Sequence, residues 1–174
     1  MKTKEMTKIA LFTAVLCIVA PMSIPIGAIP VSLTNLAVWL AVYLIGTKSG
    51  TISYILYFLL GIFGLPVFSG YTGGFAKAAG PTGGFLVGFV LMALISGFFI
   101  EKSQNKLVHF AGMLISCITL YTFGVVWYCL VAETSPKEAF AVCVAPFVLL
   151  DVIKMIAAVW LGSTVKERLK KASV

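Results

Sequence analysis

Between Thr82 and Ile100 the sequence reads TGGFLVGFVLMALISGFFI, with no charged residue, and comparable apolar runs recur along the chain. Crossing the hydrocarbon core of a bilayer takes about 20 predominantly apolar residues, so runs of this kind restrict the chain to membrane architectures. They place six spans at about Lys8 to Met22, Ser32 to Gly46, Thr51 to Leu65, Thr82 to Ile100, Leu107 to Val131 and Phe140 to Gly162. The first three are short for straight spans and need residues from their flanking loops, whereas the fifth is long enough to tilt. With 60% hydrophobic and 11% charged residues in 174, little remains for a soluble domain. The expected fold is therefore an all-α integral membrane protein, one domain over residues 1–174, with six transmembrane helices. The first run lacks a small-residue cleavage site and reads as a retained helix.

Lysine and arginine are held preferentially on the cytoplasmic side, which orients the spans. With both termini inside, the cytoplasmic segments carry Lys2, Lys4, Lys8, Lys48, Lys102, Lys106, Lys166, Arg168, Lys170 and Lys171, and the outer loops only Lys77 and Lys137. The net charge of +7 thus reflects topology and attraction to anionic lipid, and gives no reason to expect nucleic-acid binding. Cys17, Cys117, Cys129 and Cys143 lack paired zinc or redox spacings and read as small packing residues. His109, with no second histidine to form a metal site, reads as an interfacial imidazole at the cytoplasmic start of the fifth helix.

All seven prolines fall on the outer side in this topology. Two outer segments stand out there: Pro21 to Pro30, PMSIPIGAIP, and Leu65 to Gly84, LPVFSGYTGGFAKAAGPTGG. Neither is expected to be regular helix. Irregular backbone in a membrane protein needs protein or a water-filled cavity to satisfy its polar groups, so both are expected to fold over the bundle like a lid, the alternative for the glycine-rich segment being a tight re-entrant turn that only packs. Phe68, Tyr71 and Phe75 are available to cover apolar surface, and Gly73 and Gly74 allow close approach to a ligand. The second segment lacks the Gly-Lys-Ser/Thr ending of a phosphate-binding loop, so if this protein pumps, ATP is hydrolysed elsewhere.

Asp151 and Lys154, in PFVLLDVIKMIAAVW, are the only ionisable residues deep in a predicted span. A charge near the bilayer centre costs about 2.5 to 3.5 kcal/mol on insertion scales, so such groups normally face the protein interior and serve a function. Their i, i+3 spacing puts both on one helix face. The pair suits a neutral polar head bearing both N–H and C=O groups; alternatively Lys154 meets a ligand carboxylate, or the pair only locks the bundle. Pro146 is expected to bend the helix beside them. An intramembrane enzyme is disfavoured, because there is no second intramembrane carboxylate, no paired histidines for zinc and no histidine to activate a serine. Ala10 and Ala14, and likewise Gly80, Gly84 and Gly88, repeat every four residues and make smooth faces for close helix contact.

The blocks GLPVFSGYTGG, GPTGGFLVGF and PFVLLDVIK, in that order among six apolar runs, resemble the BioY family, the biotin-specific substrate-binding subunits of energy-coupling-factor transporters. IPVSLTNLAVWLAVYLIG is similar to the family's second-helix entry, with Thr34 where Gln is common and Asn35 where Thr is common. Tyr71 and Lys77 occupy loop positions where the family often has smaller or apolar residues. The resemblance implies a multi-pass protein of a prokaryotic-type plasma membrane that captures biotin from outside, performs no chemistry and uses no cofactor or metal. It further implies a transmembrane coupling protein and two cytoplasmic ATPases as partners. The substrate-binding residues it suggests are Asp151, Lys154, Asn35, Thr34, Phe68, Tyr71, Gly73 and Gly74, with Ala10 and Ala14 meeting the coupling protein. A self-sufficient carrier for biotin or a related small molecule is the competing reading.

Overall fold

The computed structural model describes residues 3–26 and 29–172. Lys2 of the basic tally, and Gly27 and Ala28 of the Pro21–Pro30 segment, lie outside them. The chain is a mostly helical membrane protein. Its elements run α1 (Thr3–Val19), β1 (Ser23–Ile26), β2 (Ile29–Ser32), α2 (Thr34–Ile45), α3 (Thr47–Ile62), α4 (Phe75–Ala79), α5 (Gly83–Lys102), α6 (Lys106–Ala132), α7 (Pro136–Cys143) and α8 (Val148–Ala172). Among the described residues, three segments are long and apolar enough to cross a membrane: Gly83–Lys102, Lys106–Ala132 and Val148–Leu169. Among the shorter helices, α1 has 17 residues, α2 has 12 and α3 has 16.

The Pro21–Pro30 segment contributes to an antiparallel hairpin, with Ser23 opposite Ser32 and Pro25 opposite Pro30. Two facing prolines, neither with an N–H, suit a non-hydrogen-bonded pair, where no ladder bond is lost. Contrary to expectation, the Leu65–Gly84 segment includes a short helix, α4, bracketed by Gly74 and Gly80. Its Ala-rich sequence FAKAA favours one helical turn.

The largest departure concerns the sixth span. Rather than bending at Pro146, the chain breaks there: α7 ends at Cys143, residues 144–147 form turns, and α8 begins at Val148. Proline disfavours helical backbone at the preceding residue and supplies no N–H of its own, which accounts for a break. Asp151 consequently sits in the first turn of α8 and not deep within a continuous span. There the positive end of the helix dipole favours a carboxylate.

Small residues let the helices approach closely. A Cβ on Gly84 would lie 2.2 Å from Trp127 Cβ, and one on Gly88 2.9 Å from Leu120, so this glycine face packs α5 against α6 within the chain. Across α3 and α5, the buried Tyr54 hydroxyl donates to the Leu86 carbonyl at 2.7 Å. Tyr54→Phe is expected to lower stability by about 1 kcal/mol, the usual net worth of one such bond, in detergent unfolding experiments. An unchanged midpoint would show that this bond does not contribute.

On α1 the inward stripe is Ile9, Thr13 and Leu16, while Ala10 and Ala14 are exposed. Thr13 Oγ1 lies 3.2 Å from Ser53 O, joining α1 to α3. His109, in the first turn of α6, is buried. Its Nε2 donates to the Ser103 carbonyl at 2.8 Å, and its Nδ1 shares a hydrogen bond with the Tyr43 hydroxyl at 2.5 Å. The pair fastens α2 to the start of α6. All four cysteines are free, with Cys117 and Cys143 buried.

Candidate functional site

The polar heart of the bundle is a network joining α2, α6 and α8. Asp151 and Lys154 are 4% and 9% exposed, and Lys154 Nζ stands 2.9 Å from Asp151 Oδ1. Asn35, in the first turn of α2, bridges them: its Nδ2 donates to Asp151 Oδ1 at 2.6 Å, and its Oδ1 accepts from Lys154 Nζ at 3.2 Å. The remaining donor of Lys154 goes to the Ser32 carbonyl at the end of β2, at 2.8 Å. From α6, the Tyr121 hydroxyl donates to Asp151 Oδ2 at 2.5 Å, with Cys117 Sγ 3.9 Å from the same oxygen.

An ammonium has three donors and no acceptor. Here each donor has an acceptor within 3.2 Å. Desolvating two charges costs several kcal/mol per ion, and a close pair offsets that cost only when further hydrogen bonds complete it. Asn35, Tyr121 and the Ser32 carbonyl supply those bonds. The arrangement also ties the hairpin to α8, so the hairpin and the charged pair are mechanically joined.

Beside the network lies a cavity walled mainly by apolar side chains, among them Phe68, Phe85, Leu86, Phe89, Leu120 and Phe147. Its polar lining falls into two sets. Ser32, Asn35, Tyr121, Asp151 and Lys154 come from the hairpin and the bundle; Ser69, Lys77 and Thr82 come from the segment joining α3 to α5. An apolar chamber with a few convergent polar groups is the usual form of a small-molecule site.

Of the residues singled out from the sequence, Asp151, Lys154, Asn35 and Phe68 line this cavity together. Thr34 is buried next to it, with its hydroxyl 2.8 Å from Ser32 Oγ. Phe68 is fully buried against Gly61 and the edge of Tyr57. Tyr71 is 67% exposed at φ 57°, in the reversal closed by paired backbone bonds between Phe68 and Thr72. Gly73 and Gly74 are outside the lining and shape the cover instead. A Cβ on Gly73 would fall 2.2 Å from the Leu65 carbonyl oxygen, and Gly74 has φ 95° while donating its N–H to Gly61 O at 2.7 Å. The Gly70 N–H donates to Pro21 O at 3.1 Å, linking this cover to the start of the hairpin segment.

Tyr121, Ser32 and Lys77 were missed as site residues from the sequence. Tyr121 is one aromatic in a long apolar helix, and Ser32 contributes a backbone carbonyl, which no side-chain pattern reveals. For Lys77 the signal was a lone cation within an outer loop.

A profile described as the BioY family matches residues 1–171. A protein of Thermotoga maritima named biotin transporter BioY is 36% identical over 171 residues, covering 98% of each chain. A probable biotin transporter BioY of Pyrococcus horikoshii is 35% identical over 159 residues, 91% of this chain and 94% of that one. In three dimensions the chain is similar to a crystal structure described as the S-component for biotin from an ECF-type ABC transporter, with a TM-score of 0.88 and 29% identity. That likeness covers 96% of this chain and 95% of the other.

Proposed function

The chain belongs to the BioY family, and we propose that it is the biotin-binding subunit of an ATP-driven uptake system. It is a transporter subunit and not an enzyme. The single observation that carries the reading is the fully bonded Asp151–Lys154–Asn35–Tyr121 network set into the wall of an apolar, covered cavity. Biotin consists of a fused ring system with a cyclic urea, which offers two N–H donors and one carbonyl, and an aliphatic tail ending in a carboxylate. Asp151 Oδ2, which accepts from Tyr121, can take a further N–H, and the Asn35 amide has a second N–H beyond the one given to Asp151, an acceptor and a donor that match the N–H and C=O of the urea. Phe68, Phe85, Leu86 and Phe147 then cover the ring and tail. Thr34 supports the Ser32 corner, and the reversal at Tyr71, Gly73 and Gly74 holds Phe68 in place.

Burying about 300 Å² of apolar ligand surface at about 25 cal/mol per Å² gives on the order of 7 kcal/mol before the costs of association. Polar contacts then set specificity, since an analogue lacking the urea N–H groups buries its polar head without the bond to Asp151.

In this reading α1, α2, α3, α5, α6 and α8 are the six spans, with both termini cytoplasmic, as the basic residues suggest. Ala10 and Ala14, exposed on α1, offer a smooth face to a transmembrane coupling protein, and two cytoplasmic ATPases supply the energy. The test is uptake of radiolabelled biotin by cells that lack any biotin transporter and any homologous coupling protein. Accumulation is expected only when the chain is co-expressed with a coupling protein and its ATPases. Concentrative uptake by the chain alone would establish a self-sufficient carrier instead.

A further inference from the structure

Lys154 has no donor to spare, since Ser32 O, Asn35 Oδ1 and Asp151 Oδ1 occupy all three. Its charge is also cancelled by Asp151 at 2.9 Å. A carboxylate arriving at this corner would have to displace an existing acceptor and would face the Asp151 charge. The cavity lining contains one further cation, Lys77, half-buried on α4. Among the described residues no carboxylate pairs with it, and no side-chain hydrogen bond holds it. The lining therefore has one uncompensated positive charge, at the polar set supplied by the α3–α5 segment, where Ser69 and Thr82 also face the cavity.

From this division of charge we infer that Lys77 is a specificity residue that takes the carboxylate of the ligand's tail, while the Asp151–Lys154 corner takes the neutral ring. This inference rests on the biotin-binding reading and assigns the two ends of the molecule to the two polar sets. An elongated monoanion with a neutral polar head satisfies both sets and leaves the occupied cavity without net charge. Because Lys77 rides on α4, the ligand's charge also connects the cover to the bundle through the ligand itself. A partly desolvated ammonium holds a carboxylate more firmly than an exposed one does, because less water competes for either group.

The test compares biotin with biotinamide, its uncharged counterpart, by titration of the purified full chain and of Lys77→Met and Lys77→Arg. The parent is expected to prefer biotin by about tenfold, a typical effect for one partly shielded charge pair. Lys77→Met should bring that ratio close to unity by weakening biotin alone, and Lys77→Arg should retain the preference. Unchanged affinity for biotinamide serves as the check that Lys77→Met is folded. The inference is overturned if Lys77→Met keeps the parent's preference, if it weakens both ligands equally, or if the parent binds both equally well. Failure of the folded parent to bind either ligand would instead overturn the biotin-binding reading on which the inference rests.

Discussion

Asp151→Asn is expected to weaken biotin binding by at least about 100-fold, equivalent to about 2.7 kcal/mol. The substitution is nearly isosteric, so packing is preserved and the effect is electrostatic. It removes the partner of Lys154 Nζ at 2.9 Å and the charged acceptor of both the Asn35 amide and the Tyr121 hydroxyl. Breaking a buried pair from one side typically costs about 3 to 5 kcal/mol, because the remaining charge stays buried without compensation. The variant should therefore also unfold more readily in detergent. Asp151→Asn combined with Lys154→Met removes the stranded charge and should recover much of the lost stability without recovering binding. Titration and thermal unfolding of the same samples distinguish the two effects. Binding by Asp151→Asn within about threefold of the parent would mean that the carboxylate's charge plays no part in recognition.

The second large effect concerns Gly84. A Cβ there would lie 2.2 Å from Trp127 Cβ and 3.2 Å from the Phe123 carbonyl oxygen, atoms on or next to the α6 backbone that no rotamer change can move away. Gly84→Val thus forces α5 and α6 apart. Overpacking commonly costs about 1 to 3 kcal/mol, and a contact so near the backbone belongs at the upper end. The damage reaches the site, because Phe85, Leu86 and Leu120 on these two helices line the cavity. Trp127 also donates its Nε1–H to Gly80 O at 3.0 Å, anchoring the base of the cover. Lower thermal stability together with faster biotin dissociation is expected, with Gly84→Ala intermediate. If Gly84→Val melts and releases ligand like the parent, the close α5–α6 contact is not what holds the site.

Much of this was readable from the sequence where one physical signal dominated. The long uncharged runs gave α5 and α6 nearly at their observed ends, because the cost of exposing polar backbone to lipid leaves few alternatives. The i, i+3 spacing of Asp151 and Lys154 located the charged pair, since neither residue is tolerated in lipid without a partner. The first and third helices begin earlier than expected, at Thr3 and Thr47, because polar residues such as Thr and Lys continue a helix once tertiary contacts support it. At Thr47 the backbone N–H finds Glu101 Oε1 at 2.8 Å, a contact distant in sequence and thus invisible locally.

Pro146 showed the limit of a hydropathy reading: apolar residues continue through it, so composition suggested one bent span where the backbone in fact separates into α7 and α8. The hairpin was obscured for a related reason. Proline at 25 and 30 argues against strands in general, and only their mutual register makes the pairing acceptable. Asn35 was marked as a pocket residue on resemblance, but its bridging role depends on α2 and α8 meeting, which spacing along the chain does not encode. Tyr121 and Lys77 reach the cavity from elements far apart in sequence, and each looks ordinary in its own segment.

The central claim is tested most directly by calorimetric titration of the detergent-purified, ligand-free chain with biotin, beside a folded Asp151→Asn, Lys154→Met double variant. Saturable one-to-one binding by the parent, lost in the double variant, is the predicted result. A folded parent that takes up no biotin, or a double variant that binds as the parent does, would contradict it.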